Sequence, residues 1–356
     1  MKVCWLVLLS LMMTVSAGNV LAEPFTGAGI KLDVTASPDK PEIMLGEPCY
    51  LSFKVANLSD RPLRIMIGGD YRNSLGRPDS FKVKVVDSDG KLVPQPSSGM
   101  QMGGMASFRN LPTKGEFTFR LFVPHWATFE KPGRYSLTIR RTLELVPDDR
   151  QDPFAVKPHR VEVVATTSMT VVPKDAAKLG VLIDTLGRQS LDENANNHER
   201  ARKMLAAIHD ERVIPHFIRL AEQNDYTSRS DAVRPLGQYR NEQAFEALKK
   251  LAKTQGADIR HSATTEDGDE SMASGLRRHA INTLFKSPHP AAIPLMWSYA
   301  ADPDYRIRLT ILHRSAELKT PEARAFIQKT LMDKDESLRI EALRYQKIMT
   351  KEASHI

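Results

Sequence analysis

The apolar positions of this chain change period once, near Pro173. From about Gly29 to Val172 they alternate. Leu51, Phe53 and Val55 fall on one side of an extended strand, as do Phe81, Val83 and Val85, then Phe117, Phe119 and Leu121, then Tyr135, Leu137 and Ile139. Period two punctuated by Gly and Pro predicts half-buried antiparallel strands. About eight fit, which predicts a β-sandwich over residues 23–172. From Ala176 the spacing becomes three and four: Val213, Ile214, Phe217 and Leu220 make one helical stripe, and Phe245, Leu248 and Leu251 another. Residues 173–356 are therefore predicted to be α-helical, and the chain to be a multidomain β + α protein.

The helical half also repeats. Asp304-Tyr-Arg-Ile-Arg308-Leu-Thr-Ile311-Leu312 returns thirty-one residues later as Asp335-Glu-Ser-Leu-Arg339-Ile-Glu-Ala342-Leu343, with earlier copies around Arg277 and Asp225. A fixed period of short helical phrases predicts stacked helix pairs, none able to bury its apolar face alone. About five pairs are expected, at 176–207, 211–239, 243–286, 290–318 and 321–350, the third interrupted by a polar loop insertion at 254–271. Asp225, Asp304 and Asp335 are placed to accept backbone hydrogen bonds at helix starts. The arginines at equivalent positions are expected to form a ladder bonded to neighbouring turns, and Pro235 to kink its helix.

These residues resemble HEAT repeats. Arg229-x-x-Ala232-x-x-x-Leu236-Gly237 followed by Ala244-x-x-x-Leu248-x-x-Leu251 matches that family's second helix and the first helix of the next repeat. The step recurs, to within one residue, from Arg277 to Ala291 and from Arg308 to Ala323. The resemblance implies an α-solenoid with a concave protein-binding face lined by the second helices. Arg234, Arg278 and Arg314, with Tyr239, Asn282 and His313, are the residues expected on that face. The first half resembles bacterial immunoglobulin-like or fibronectin-like domains through Leu45-Gly46-Glu47, Val55-Ala-Asn57-Leu-Ser59-Asp60 and Pro132-Gly133-x-Tyr135. Tyr135 is placed there like a tyrosine-corner residue.

The start of the chain changes the picture of where it works. Met1-Lys2, the apolar run Val3 to Val15 and the small residues up to Ala22 describe a secretory signal peptide, with cleavage expected after Ala22. The expected location is periplasmic or secreted, with no membrane-integral segment left after cleavage. Removal of Cys4 would leave Cys49 as the only thiol, so no internal disulfide is available, and Cys49 is expected in the core.

Charge alters little: 50 basic against 43 acidic residues give +7 over 356 residues, with no polybasic block. That argues against a nucleic-acid groove and leaves room only for weak contact with anionic envelope polymers. No catalytic or zinc motif is present, so the chain is expected to be a non-enzymatic binding or scaffold protein without a cofactor. Asp87-x-Asp89-Gly90 is expected to be a hairpin turn rather than a calcium loop.

Two loops of the β half concentrate recognition chemistry, one with Asp70, Tyr71, Arg72 and Arg77 and one with His125 and Trp126. Immunoglobulin connectivity would bring both to one end of the sandwich. An alternative function rests on Met100, Met102 and Met105 in a glycine-rich loop, since thioethers suit Cu(I) and secreted β-sandwiches with a methionine loop resemble periplasmic copper carriers. His125 is the candidate additional ligand.

Overall fold

The computed structural model describes residues 25–27, 29–69, 77–96, 103–148, 152–192, 194–259, 266–318 and 320–353. Two compact units divide between Leu179 and Gly180. The change of sequence period lies a few residues earlier, at Pro173.

In the first unit the strands are β1 (Phe25–Gly27), β2 (Ile30–Pro38), β3 (Glu42–Met44), β4 (Tyr50–Asn57), β5 (Leu63–Gly68), β6 (Phe81–Val86), β7 (Ala106–Leu111), β8 (Glu116–Phe122), β9 (Gly133–Pro147) and β10 (His159–Val172). They form a four-stranded sheet ordered β1-β2-β4-β8 and a six-stranded sheet ordered β3-β10-β9-β5-β7, with β6 also paired to β9. The expected alternation supplies the buried faces: Leu51, Phe53 and Val55 from β4 meet Val83, Leu137 and Ile139 from the other sheet in one core.

The chain leaves the first sheet at Pro38 and rejoins the second as β3, which runs parallel to β10. With the antiparallel pairs β2–β4, β4–β8 and β9–β10, this makes an immunoglobulin-like sandwich. The tyrosine corner is present: the Tyr135 hydroxyl donates to the Lys131 carbonyl at 2.7 Å. Every odd residue of β9 from Tyr135 to Leu145 points inward, and one of them is Arg141. Its guanidinium lies 4.4 Å from the centre of the Phe81 ring and 4.0 Å from that of Phe119, so two aromatic faces accommodate the buried cation. Alternation read as apolar against polar does not anticipate it.

The second unit is helical. Its helices are α1 (Ala176–Gln189), α2 (Ala195–Ala206), α3 (Ile214–Ala221), α4 (Tyr226–Leu236), α5 (Glu242–Leu251), α6 (Glu266–Leu284), α7 (Ala292–Ser298), α8 (Tyr305–Leu318), α9 (Pro321–Thr330) and α10 (Glu336–Ala353). The second helix of each later pair packs on the next, α4 on α6, α6 on α8 and α8 on α10, while α3 packs on α5 along the other layer. Buried alanines at helix contacts, Ala232, Ala280, Ala323 and Ala342, let the backbones approach. Gly187 instead makes room for a side chain: a Cβ there would lie 1.9 Å from Nδ1 of His216.

Two local expectations need correction. The polar run Glu266 to Ser271 is not loop but the beginning of α6. Acidic side chains suit a helix N-terminus, where they face unpaired amides and the positive end of the helix dipole. Upstream, Gly256–Asp258 form one tight helical turn, Ile259 is buried, and the Gly256 amide donates to Glu270 Oε2 at 3.1 Å. Pro235 does not kink a continuing helix, because α4 ends at Leu236, one residue later. Its missing amide is absorbed in the last turn.

Candidate protein-binding face and the arginine ladder

The repeat arginines bind the array itself. Arg308 donates from Nε and Nη2 to the two carboxylate oxygens of Asp333 at 3.0 and 2.9 Å. Its Nη1 donates to the carbonyls of Asp302 and Pro303 at 2.7 and 3.1 Å. One period on, Arg339 makes the same backbone pair with Asp333 and Lys334, at 2.8 and 3.1 Å. One period back, Arg277 pairs with the carboxylate of Asp302. Each aspartate thus receives one arginine on its carboxylate and the next on its carbonyl. Planar guanidinium groups are suited to such forked bonding.

Helix starts complete the turns. Asp225 Oδ1 accepts from the Ser228 amide at 2.8 Å, Asp304 Oδ1 from Arg306 at 2.9 Å and Asp335 Oδ1 from Ser337 at 2.9 Å. Burial opposes the charge on Asp333, but hydrogen bonds from Arg308 and the Asp335 amide outweigh it and hold the carboxyl below its usual range. For Asp304, burial is likewise outweighed, by bonds from Ser274 and the Arg306 amide. Asp302 and Asp333 were not singled out from sequence, although they too stand thirty-one residues apart, each six before a repeat arginine.

Of the residues expected on the binding face, Arg234 and Arg278 are exposed on α4 and α6. Arg314 is a strut instead: its Nε donates to Asn282 Oδ1 at 2.6 Å, it pairs with Glu317, and it lies over the Phe285 ring. Asn282 is engaged by the same bond. The Tyr239 hydroxyl donates toward the carbonyls of Ile208 and Asp210, at 3.2 and 3.3 Å. His313 is exposed, with its ring against Tyr345.

In the sandwich, Asp70, Tyr71 and Arg72 lie outside the described residues. Arg77 is brought to the other candidate loop, donating to the His125 carbonyl at 3.4 Å and to Gln95 Oε1 at 3.2 Å. His125 is buried with its ring against Phe122 and Trp126, and Trp126 belongs to the core while lining one wall of a cavity of about 510 Å³ beside Arg77. The Asp87 carboxylate is occupied by its turn, accepting from the amides of Asp89 and Lys91 and pairing with Lys131. Cys49 is buried. Burial above all, then the charges of Glu47 and Asp39, push its thiol up to about 12, so it has no nucleophilic character at neutral pH.

Met100 and Met102 lie outside the described residues. Met105, just before β7, is 94% exposed and so is not packed beneath its loop. Among the described residues no group of three or more His, Cys, Asp or Glu side chains gathers to hold a metal, and no helix is long and apolar enough to cross a membrane.

The architecture defined by these contacts is an immunoglobulin-like β-domain followed by a HEAT-type helical array. A family model for HEAT repeats matches residues 182–266, so the chain carries HEAT repeats there. None of the curated proteins matches the chain. Among solved structures the chain is similar to the CARDB domain of a Pyrococcus furiosus protein in complex with di-metal ions, at 16% identity, over 42% of this chain and 93% of that one, with a TM-score of 0.21. It is similar also to the Escherichia coli protein YibA, at 16% identity over 48% and 75% of the two chains, with a TM-score of 0.24. A third likeness is to the GAE domain of GGA2p from Saccharomyces cerevisiae, at 12% identity over 43% and 97%, with a TM-score of 0.16.

Proposed function

We propose that this protein is an exported, non-enzymatic scaffold that holds a protein partner on the layer formed by α4, α6, α8 and α10, in the periplasm or cell envelope. The observation that carries the reading is the continuous layer of second helices, α4 packed on α6, α6 on α8 and α8 on α10, on which Arg234 and Arg278 are exposed on neighbouring helices. HEAT repeats generally serve protein–protein interaction, and a stacked array presents such side chains at fixed intervals. Export rests on the signal-peptide pattern ending at Ala22. The test of export is N-terminal sequencing of the protein recovered from the producing cell's envelope or medium: a chain starting at Glu23 supports it, and an intact Met1 start contradicts it. The test of the surface is capture of envelope proteins by the full chain and by an Arg234→Glu/Arg278→Glu variant. Loss of a captured partner in the variant supports the reading, and unchanged capture overturns it.

A second reading keeps a role for copper. The exposed thioether of Met105 is a soft donor open to an incoming ion. Met100, Met102 and Met105 would be the ligands. His125 is ill placed to join them, being buried between Phe122 and Trp126. Titration of the full chain with Cu(I), beside a triple Met→Leu variant, tests it. Stoichiometric binding lost in the variant supports it, and absence of tight binding dismisses it.

A further inference from the structure

The cavity beside Arg77 carries a charge pattern that the scaffold reading leaves unused. Four basic side chains line it, Arg77, Lys82, Lys84 and Arg140, against the single carboxylate of Asp79. Lys82 and Arg140 are direct partners in the register of β6 and β9. Like charges directly opposite one another across a sheet are destabilising. Relief from within the protein is slight: Arg140 approaches Glu162 at 3.5 Å with both side chains exposed, and Lys82 and Lys84 make no ion pair among the described residues. Thr138, the register partner of Lys84, adds a hydroxyl to the same wall.

The wall is also braced. Gln95 Nε2 donates to the Val83 carbonyl at 3.1 Å while its Oε1 accepts from Arg77, so one amide ties the loop that carries Arg77 to strand β6. Arg77 is held a second time by the His125 carbonyl, and Trp126 closes the wall behind it. Lysines on a strand with one neighbour are a common guard against edge-to-edge pairing. That role explains Lys82 and Lys84. It does not explain an arginine set opposite Lys82, nor a fourth cationic side chain, Arg77, fixed at the cavity from the segment that leads into β6.

We propose that this cavity is a binding site for a multivalent oxyanion of phosphate type, presented either by a small molecule or by an anionic polymer. Guanidinium groups from Arg77 and Arg140 supply planar donor pairs, and the two ammonium groups supply point charge. An oxyanion in the cavity would remove the repulsion between Lys82 and Arg140 instead of adding to it. The site lies wholly in the β-domain and stands independently of the partner-binding face of the array.

The experiment is calorimetric titration of the full chain at low salt with inorganic tripolyphosphate, and in a second arm with long-chain polyphosphate. Parent protein is compared with Lys82→Gln/Arg140→Gln and with a control of equal charge change, Lys31→Gln/Lys157→Gln. The expected result is saturable binding weakened about tenfold or more in the cavity variant, the scale of one charge-assisted hydrogen bond, and little changed in the control. The cavity variant should melt at or above the parent temperature, because a like-charge pair has gone, so lost binding cannot be ascribed to unfolding. Similar affinity for short and long chains would assign a small oxyanion, and tighter binding of the long chain an anionic polymer. No saturable binding, or equal loss in both variants, would overturn the site. Aggregation of the cavity variant with unchanged anion binding would do so too, leaving only the edge-guarding role.

Discussion

Arg308 joins Asp333 through two parallel hydrogen bonds while its third nitrogen holds the carbonyls of Asp302 and Pro303, so one side chain fixes the distance between successive turns of the array. Both partners are largely withdrawn from solvent. Removing one leaves the other as an uncompensated buried charge, which typically costs about 3–5 kcal/mol. Arg308→Ala and Asp333→Ala are each expected to destabilise the array on that scale, and the double variant by clearly less than the sum. Denaturant unfolding followed by helical circular dichroism reads this coupling. Strict additivity would show that the pair does not act as a unit.

Acid should loosen the array in two stages. Burial, and then the charge of Arg219, hold His216 below its ordinary value against the pull of Asp184; burial and Arg234 do the same for His279. A histidine depressed on folding stabilises the folded state above its unfolded value of about 6.5, and that contribution is lost as pH falls through the depressed value. Asp304 and Asp333 are also depressed, so their contribution is present above about pH 4 and lost below it. Melting temperature against pH should therefore fall first below about 6.5 and again below about 4. Asp333→Asn should weaken the second stage. A flat profile from pH 7 to 3 would contradict the assignment.

Cys49 should resist thiol reagents in the native protein and react on unfolding, since its thiol is buried and pushed up to about 12. Labelling with and without denaturant measures this. Rapid native labelling would place Cys49 at the surface.

Tyr135→Phe removes the hydroxyl that donates to the Lys131 carbonyl at 2.7 Å. The expected loss is about 1 kcal/mol of sandwich stability, the net worth of a typical internal hydrogen bond. A change near zero in the unfolding midpoint would mean that water replaces the bond.

Much of this fold was legible in the sequence because burial leaves a period. The alternation through Phe53, Val83 and Leu137 gave the sandwich, the thirty-one-residue return of Arg308 at Arg339 gave the array, and Asp225, Asp304 and Asp335 were recognisable as helix starts. Glu266 to Ser271 was not, because a polar helical extension has no apolar stripe to betray it. Arg141 escaped for the converse reason: it occupies an inward position of β9 as a charge, made tolerable by Phe81 and Phe119, whose packing exists only in three dimensions. Arg314 looked free because it lies off the buried stripe, yet Asn282 on the preceding second helix engages it. The basic cavity was least visible. It joins Arg77 from a loop to Lys82 and Arg140, residues that β6–β9 register alone makes neighbours.

The most direct measurement is crosslinked capture from envelope fractions by the full chain, beside the Arg234→Glu/Arg278→Glu variant and a control reversed at an exposed arginine of the β-domain, Arg109→Glu. The scaffold account predicts a partner recovered with the parent and the control and lost with the array variant, at unchanged melting temperature. Equal recovery with all three proteins would contradict it.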